Sequence, residues 1–166
     1  MKIAGVDEAG RGPLAGPVVV GCVIMPQDSF IEYVNDSKKV AKKKRDSLCQ
    51  QLLEDAIDYA IGQVDNDVID KLNILNATKK AMTDSLKTLS VKPELLLIDA
   101  LHIDSEIPQK SIIHGDASSY TIAAASIVAK VYRDNLMQIY HEQYPEYGFD
   151  HNMGYGTAEH IDALRK

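Results

Sequence analysis

Four acidic side chains follow short apolar runs of the sequence. Asp7 and Glu8 end the first run, whereas Asp99 ends a later run and Asp116 comes shortly after a third. Ligands of open α/β sheets bind at the carboxyl ends of the strands, so these acids would meet at one edge. Clustered carboxylates repel one another unless a multivalent cation compensates them, and oxygen ligands suit Mg²⁺ or Mn²⁺. The pattern therefore predicts a metal site.

Two such ions, about 3.5 to 4 Å apart, would activate a water molecule and stabilise the leaving oxygen of a phosphodiester. We predict that the four acids are both the metal ligands and the catalytic residues. Two alternatives stay open: each acid alone could simply be solvated, and Asp116 could cap the following helix. Asp7 and Glu8 would point to opposite faces of a regular strand, so one of them would act through a backbone carbonyl, a water or a bulge.

A fifth acid, Asp134, is predicted to lie outside this site. It stands roughly 22 Å along the axis of a helix that begins near residue 119, at 1.5 Å per residue. We therefore expect it to pair with Arg133, with Lys130 or with another helix.

A glycine-rich segment follows the first two acids. Gly10, Arg11 and Gly12 could bring the backbone close to a ligand, with Arg11 holding a phosphate; an ordinary strand connection is the alternative. The segment lacks the Gly-Lys-Ser/Thr of a Walker loop, which disfavours nucleoside triphosphate hydrolysis.

The charge distribution is uneven. A net charge of −6 argues against a protein that coats nucleic acid non-specifically. Six of the 18 basic residues nevertheless lie within residues 38–45. Cations in the first turn of a helix are unfavourable unless a phosphate is nearby, so we predict that Ser37 and Lys38 contact phosphate. A solvated basic face is the alternative for the outer lysines.

Few other side chains suggest chemistry. Tyr155, between two glycines, could stack on a base or sugar, or could fold back on the core. Cys22 and Cys49 lie in apolar surroundings and are not predicted to be catalytic, and the five histidines show no metal-binding spacing.

Hydrophobic periodicity predicts the elements that would position these residues. Strands are expected at residues 2–7, 17–25, 59–64, 94–99 and 110–114, with 94–99 as a buried central strand. Helices are expected at 40–60, at 67–89 as one or two segments, at 119–140 and from 158. No repeat or linker divides the chain, so we predict one α/β domain over residues 1–166, with a short helical C-terminal segment from about residue 140.

Taken together, these segments resemble ribonuclease HII, the bacterial type 2 ribonuclease H. The resemblance rests on GVDEAGRGPLAGPV at 5–18, DSKK at 36–39, LIDA at 97–100, GD at 115–116, AAASIVAKVYRD at 123–134 and GYGT at 154–157. The segments cover nearly the whole chain in the order of that family. The Gly-Arg-Gly of the first segment favours type HII over the related type HIII.

The resemblance implies an RNase H-like mixed five-stranded sheet flanked by helices, and a metal-dependent endonuclease. Such an enzyme cuts the RNA strand of RNA/DNA hybrids, and cuts 5′ to single ribonucleotides in duplex DNA, as in ribonucleotide excision repair. It leaves 3′-hydroxyl and 5′-phosphate ends and uses two Mg²⁺ or Mn²⁺ ions. The matching residues are Asp7, Glu8, Asp99 and Asp116 for the acidic tetrad; Gly10, Arg11 and Gly12 for the loop that contacts the 2′-hydroxyl; Ser37 and Lys38 for the phosphate turn; and Tyr155 for the junction tyrosine.

Further expectations concern the surroundings of the enzyme. The partners would be RNA/DNA hybrid and ribonucleotide-containing duplex DNA, with no membrane contact, and the chain would act as a cytoplasmic monomer; replication or repair partners are not predicted. Family members commonly continue into a basic tail after the last short helix, which leaves a minimal or a shortened form open. Two rival functions also stay open: a non-catalytic hybrid-binding module, and a hybrid nuclease that needs several ribonucleotides.

Overall fold

The computed structural model describes residues 1–166 without a gap. Its sheet has five strands: β1 (Ile3–Ala9), β2 (Val18–Ile24), β3 (Asp58–Val64), β4 (Leu95–Asp99) and β5 (Gln109–Ile112). They lie in the order β3-β2-β1-β4-β5. β1 pairs antiparallel with β2 and parallel with β4, so the sheet is mixed. The predicted five strands are confirmed, but β1 is the central strand and β4 lies between it and the edge strand β5.

Seven α-helices accompany the sheet: α1 (Lys42–Asp55), α2 (Asn66–Leu72), α3 (Ile74–Thr88), α4 (Gly115–Ser118), α5 (Tyr120–Gln143), α6 (Phe149–Asn152) and α7 (Ala158–Arg165). Two 3₁₀ turns span Val34–Lys39 and Pro145–Tyr147. The segment expected as one or two helices forms two, because Asn73 leaves helical geometry and its side chain caps α3 by accepting from the Asn76 amide at 2.9 Å. None of the helices has both the length and the apolar character that a bilayer span requires.

The two faces of the sheet carry separate apolar clusters. Cys22 and Ile24 pack in the cluster that includes α3, whereas Val23 packs in the cluster formed with α1 and α5. This alternation follows from the period of two along a strand. Gly5 lets α5 approach β1 closely, because a Cβ at that position would overlap the Thr121 carbonyl. The central helix therefore lies directly against the strand that carries the first two acids.

The basic segment does place cations in the first turn of α1, at Lys42, Lys43, Lys44 and Arg45. Ser37 and Lys38 precede this helix, because Val40 and Ala41 are extended and separate the 3₁₀ turn from it. The predicted C-terminal bound of α1 is wrong, since the helix ends at Asp55 instead of continuing to residue 60. Asp116 does not cap the long helix α5. Its N-terminal cap is Ser119, whose side chain accepts from the Ile122 amide at 3.3 Å.

Candidate active site

A cavity of about 430 Å³ lies at the carboxyl ends of β1 and β4. Its walls contain all four acids of the predicted tetrad, which are Asp7, Glu8, Asp99 and Asp116, together with Ser37, Lys38 and Tyr155. These residues come from two strands, the short helix α4, a 3₁₀ turn and the loop before α7. The structure thus brings together side chains that are far apart in the sequence.

The register of the parallel strands places two of the acids side by side. Val6 of β1 pairs with Ile98 of β4, so Asp7 and Asp99 are the next residues on neighbouring strands. Val6 and Ile98 point into the same apolar cluster, and the alternation along the strands directs both acids to the opposite face, where α5 lies. The Gly115 amide donates to Asp99 Oδ1 at 2.6 Å, which ties α4 to the end of β4.

Glu8 reaches the same cavity although it is the chain neighbour of Asp7. The ladder between β1 and β4 ends at Val6, so Glu8 lies past the part of β1 that pairs with β4. The amide of Glu8 donates to Asp7 Oδ1 at 2.8 Å. Glu8 Oε2 is buried and has no hydrogen-bond partner. An unpartnered buried carboxylate oxygen is costly, and it marks a place where a cation would be favourable.

The pKa shifts of Asp7 and Glu8 also indicate that a cation would be favourable in the cavity. Burial raises the pKa of Asp7 to about 9, and the negative charges of Glu8 and Asp99 add to the increase. Burial also raises the pKa of Glu8, although hydrogen bonding with Asp7 and the charge of Arg11 oppose the rise. Both shifts are those of carboxylates gathered out of water without enough positive charge.

Two basic side chains partly compensate the acids. Lys38 Nζ forms an ion pair with Asp116 Oδ2, and this hydrogen bond raises the pKa of Lys38. Arg11 Nη1 lies 3.7 Å from Glu8 Oε1. The two cations predicted to bind substrate therefore contact the tetrad in this structure.

The four carboxylates of the tetrad are of the right chemical type for a hard divalent cation, but their positions in this structure do not form a coordination shell. No three Asp, Glu, His or Cys side chains come close enough to hold one ion together. All four donors are carboxylates, which suits Mg²⁺ or Mn²⁺ rather than Zn²⁺. The unpartnered oxygen of Glu8 and the raised pKa of Asp7 indicate that the cavity favours positive charge.

Tyr155 and the glycine-rich segment form one unit beside the cavity. The Tyr155 ring is 44% exposed rather than folded into the core, and a Cβ at Gly12 would lie only 3.3 Å from it. The amides of Leu14 and Ala15 donate to the Gly154 carbonyl at 2.8 and 3.2 Å. Gly10, Arg11 and Gly12 themselves do not line the cavity.

A buried guanidinium holds these two loops together. Arg133, 1% exposed, donates to the carbonyls of Pro17, Ala15 and Met153 at 3.0, 2.8 and 2.6 Å. Gly10 is also required here, because its φ of 101° is left-handed and a Cβ would strike the Arg133 side chain. Arg133 therefore fixes the loop after β1 against the loop that carries Tyr155.

The sequence did not single out four polar or charged residues of the cavity as site residues. They are Arg45 of α1, His114, which precedes α4, and Ser126 and Lys130, which lie one turn apart on α5. The i, i+4 spacing of the last two within an otherwise apolar stretch was the available signal. Asp134 pairs with Lys130 and, on another helix, with Arg45 of α1, so two of the three predicted alternatives are confirmed, whereas the pairing with Arg133 is not formed.

The sequence matches one protein family over nearly its whole length. The family model described as Ribonuclease HII matches residues 4–166. A protein named Ribonuclease HII from Lactobacillus johnsonii is 57% identical over 164 residues, which is 99% of this chain and 66% of that protein. A Ribonuclease HII from Caldanaerobacter subterraneus is 55% identical over 165 residues, covering 99% of this chain and 68% of that one. The chain thus spans about two thirds of the length of these relatives, and slightly less than two thirds of the first.

Solved structures show the same fold. The crystal structure of ribonuclease H2 from Pyrococcus horikoshii OT3 superposes with a TM-score of 0.84 at 27% identity, over 99% of this chain and 85% of that one. The RNase HII in a complex with PCNA from Archaeoglobus fulgidus gives a TM-score of 0.83 at 23% identity, over 99% and 87%. The predicted RNase H-like mixed sheet flanked by helices is confirmed.

Proposed function

Because the chain belongs to the ribonuclease HII family, we propose that it is a metal-dependent endonuclease acting on RNA/DNA hybrids and on single ribonucleotides in duplex DNA. It cuts on the 5′ side of the ribonucleotide and leaves 3′-hydroxyl and 5′-phosphate ends. The observation that carries this proposal is the convergence of Asp7, Glu8, Asp99 and Asp116 on one cavity. We also propose that the chain acts as a monomer in the cytoplasm, with RNA/DNA hybrid and ribonucleotide-containing duplex DNA as its partners.

The acids hold the metal in this proposal. Two Mg²⁺ or Mn²⁺ ions, when bound, supply an activated water and stabilise charge on the leaving oxygen. The pKa of Asp7 is raised to about 9, so this carboxyl holds a proton that it would release as a cation binds, and the pKa of Glu8 is shifted in the same direction. The Gly115 amide, which donates to Asp99 Oδ1, holds the Asp99 side chain at the start of α4. No side chain is required as a nucleophile.

Lys38 has a separate role in binding. Its side chain is largely exposed and is tied only to Asp116. When a cation compensates Asp116, the ammonium of Lys38 becomes free to contact a phosphate of the substrate, next to the hydroxyl of Ser37.

Recognition of the ribonucleotide falls to the loop unit beside the cavity. The backbone of Gly10, Arg11 and Gly12 can approach a 2′-hydroxyl closely because two of the three positions lack a Cβ. The exposed ring of Tyr155 offers a stacking surface at the junction between RNA and DNA. The hydrogen bonds from Arg133 to the carbonyls of Pro17 and Met153 support these two roles, because they keep the glycine-rich segment and the Tyr155 loop at a fixed separation.

The decisive assay uses a DNA duplex with one ribonucleotide, incubated with Mg²⁺, Mn²⁺ or EDTA. We expect a cut 5′ to the ribonucleotide with either metal and none with EDTA. Asp99→Asn should abolish the cut while leaving the circular dichroism spectrum unchanged, whereas Asp104→Asn, an exposed acid outside the cavity, should cut like the wild type. Equal binding with and without metal and no cut would point to a hybrid-binding module. Cutting restricted to longer RNA tracts would point to a nuclease that needs several ribonucleotides.

The junction contact has its own test. Tyr155→Ala should lower the rate at a single ribonucleotide more than it lowers thermal stability, because Tyr155 is 44% exposed and lines the cavity instead of the core. Tyr155→Phe keeps the ring and should retain most of the rate. An unchanged rate in the alanine variant would make Tyr155 a structural residue only.

A further inference from the structure

His160 is a fully buried histidine that the proposed chemistry does not use. It lies in the first turn of α7, is 0% exposed and does not line the cavity. Its ring packs edge-to-face with Phe149, and the two ring centroids are 5.6 Å apart. Nδ1 of His160 lies 2.8 Å from the backbone carbonyl oxygen of Tyr155. Because a carbonyl oxygen only accepts, Nδ1 carries the hydrogen and donates it to Tyr155.

The other ring nitrogen of His160 has no such bond. Nε2 is buried and has no hydrogen-bond partner. A buried polar atom without a partner is unfavourable, and an apolar side chain of similar size would avoid that cost. The histidine therefore supplies one interaction that an apolar side chain could not supply, which is the hydrogen bond to the Tyr155 carbonyl.

That carbonyl belongs to the Tyr155 loop, residues 153–157, which needs support from outside itself. The two glycines that flank Tyr155 restrict the backbone less than any other residue would. Before Tyr155, the Met153 carbonyl accepts from Arg133 at 2.6 Å. At Tyr155 itself, the carbonyl accepts from His160. Two buried side chains on different helices thus hold the loop at two of its carbonyls.

The hydrogen bond from His160 bears on the position of the Tyr155 ring. The carbonyl carbon is bonded to the Cα that carries the ring, so a shift of the carbonyl moves the ring with it. The ring lines the cavity and has little room beside the glycine-rich segment, because a Cβ at Gly12 would lie only 3.3 Å from it. Since small misplacements of a group that positions substrate lower the rate, the anchoring of this loop matters for cutting.

We infer that His160 is a positioning residue for ribonucleotide recognition, because its Nδ1 hydrogen bond to the Tyr155 carbonyl sets the orientation of the ring that stacks at the junction. The inference rests on the proposed function and on the role of Tyr155 within it. It adds a residue that touches neither substrate nor metal and acts through Tyr155 alone.

Two substitutions separate the hydrogen bond of His160 from the packing of its ring. His160→Phe keeps an aromatic ring beside Phe149 but has no donor. His160→Asn lacks the ring but places an amide nitrogen where Nδ1 lies in the histidine. The measurements are kcat/KM on the duplex with a single ribonucleotide in Mg²⁺, and urea unfolding of the same proteins. The matched control is His102→Phe, which is the same replacement at an exposed histidine outside the cavity.

His160→Phe should lower kcat/KM about threefold to tenfold, as for the loss of one hydrogen bond. Its urea midpoint should stay close to that of the wild type, because the Tyr155 carbonyl keeps the Thr157 amide as a donor at 2.8 Å and the unpartnered Nε2 is removed. His160→Asn should be faster than His160→Phe, since it retains the donor. His102→Phe should match the wild type in both measurements.

A double-mutant cycle shows whether His160 acts through Tyr155. In Tyr155→Ala there is no ring to position, so the further change His160→Phe should alter kcat/KM by less than about twofold, as for a pair that acts as one unit. A residue that only supports the fold would slow the enzyme by the same factor in both backgrounds. That result would overturn the inference.

The single variants give further decisive outcomes. His160→Phe as fast as the wild type would overturn the inference, and so would equal slowing in His160→Phe and His160→Asn. If His160→Phe does not fold, His160→Asn and His160→Gln decide the question, because glutamine places its amide near Nε2 instead of Nδ1. Glutamine should then be the slower of the two, and equal rates would overturn the role of the hydrogen bond.

Failure of the proposed function is distinct from failure of this inference. If the proposed function fails, the wild type does not cut the duplex with Mg²⁺. If only the inference fails, the wild type cuts and Tyr155→Ala is slow, but His160→Phe is unaffected or slows both backgrounds equally. Tyr155→Ala as fast as the wild type would overturn the inference together with the junction role of Tyr155, while cutting itself remains.

Discussion

Replacing Asp7 by Asn should make the metal-free protein more stable, although it removes a proposed metal ligand. Asp7 is 5% exposed, and its pKa is raised from 3.8 to about 9 by burial and by the charges of Glu8 and Asp99. Between these two values the folded protein holds a proton that the unfolded chain releases. Stability therefore falls as the pH rises from about 4 towards 9. Asparagine has the same shape, can still accept from the Glu8 amide and carries no such penalty.

The size of the effect follows from the shift. One pKa unit corresponds to about 1.4 kcal/mol, so if Asp7 alone titrates, the penalty is about 2 kcal/mol at pH 5 and about 4 kcal/mol at pH 7. Glu8, whose pKa is also raised, likewise makes the metal-free protein less stable as the pH rises. The advantage of Asp7→Asn should thus grow by about 1.4 kcal/mol for each pH unit in this range.

Urea unfolding in EDTA at several pH values measures this difference. The free energy of unfolding of Asp7→Asn should exceed that of the wild type, and the gap should widen with pH. Excess Mg²⁺ should narrow the gap, because it stabilises the wild type more than the variant. Asp104→Asn serves as the control and should show no such trend. A variant less stable than the wild type, or a gap that does not change with pH, would refute the electrostatic reasoning.

Three further substitutions test the framework around the site. Gly5→Ala should lower the free energy of unfolding by about 1 to 3 kcal/mol, because the added methyl group meets the Thr121 carbonyl; unaltered urea unfolding would show that α5 can shift freely. Arg133→Met should cost on the order of 3 kcal/mol, since three carbonyls lose their donor, and an undiminished thermal midpoint would contradict this bracing role. His151 has its pKa raised above 6.5 by two carboxylate partners, so its stabilising effect is present below 6.5 and is lost as the pH rises through the raised pKa. His151→Gln should be less stable than the wild type in acid and should converge with it in alkali, and a constant difference would exclude this origin.

The strands and the edge at which the acids meet could be predicted because both follow from local rules. Short apolar runs define the start of β1 and the whole of β2, and the acid at the end of β4 marks the ligand-binding edge. The position of Asp7 beside Asp99 could not be predicted, because it depends on the register between Val6 and Ile98. A shift of one residue would have turned one acid away from the other.

Ion pairs between different elements of the fold could not be predicted from the sequence either. The ion pair between Lys38 and Asp116 joins a 3₁₀ turn to a helix much later in the chain. The contact between Arg45 and Asp134 likewise depends on how α1 packs against α5. Helical spacing indicates neighbours within one helix, as it did for Lys130, but it does not show which helix lies opposite.

Titration of the metal-free protein with Mn²⁺, by calorimetry in two buffers of different ionisation enthalpy, measures whether the four carboxylates hold a divalent cation. The wild type should bind Mn²⁺ and release a proton at pH 7, because the pKa of Asp7 is raised to about 9 and this carboxyl therefore holds a proton in the metal-free cavity. Asp99→Asn should bind at least about tenfold more weakly, as for loss of one charged ligand, whereas Asp104→Asn should match the wild type. Equal affinity in all three proteins, or binding without proton release, would contradict a metal site built from these acids.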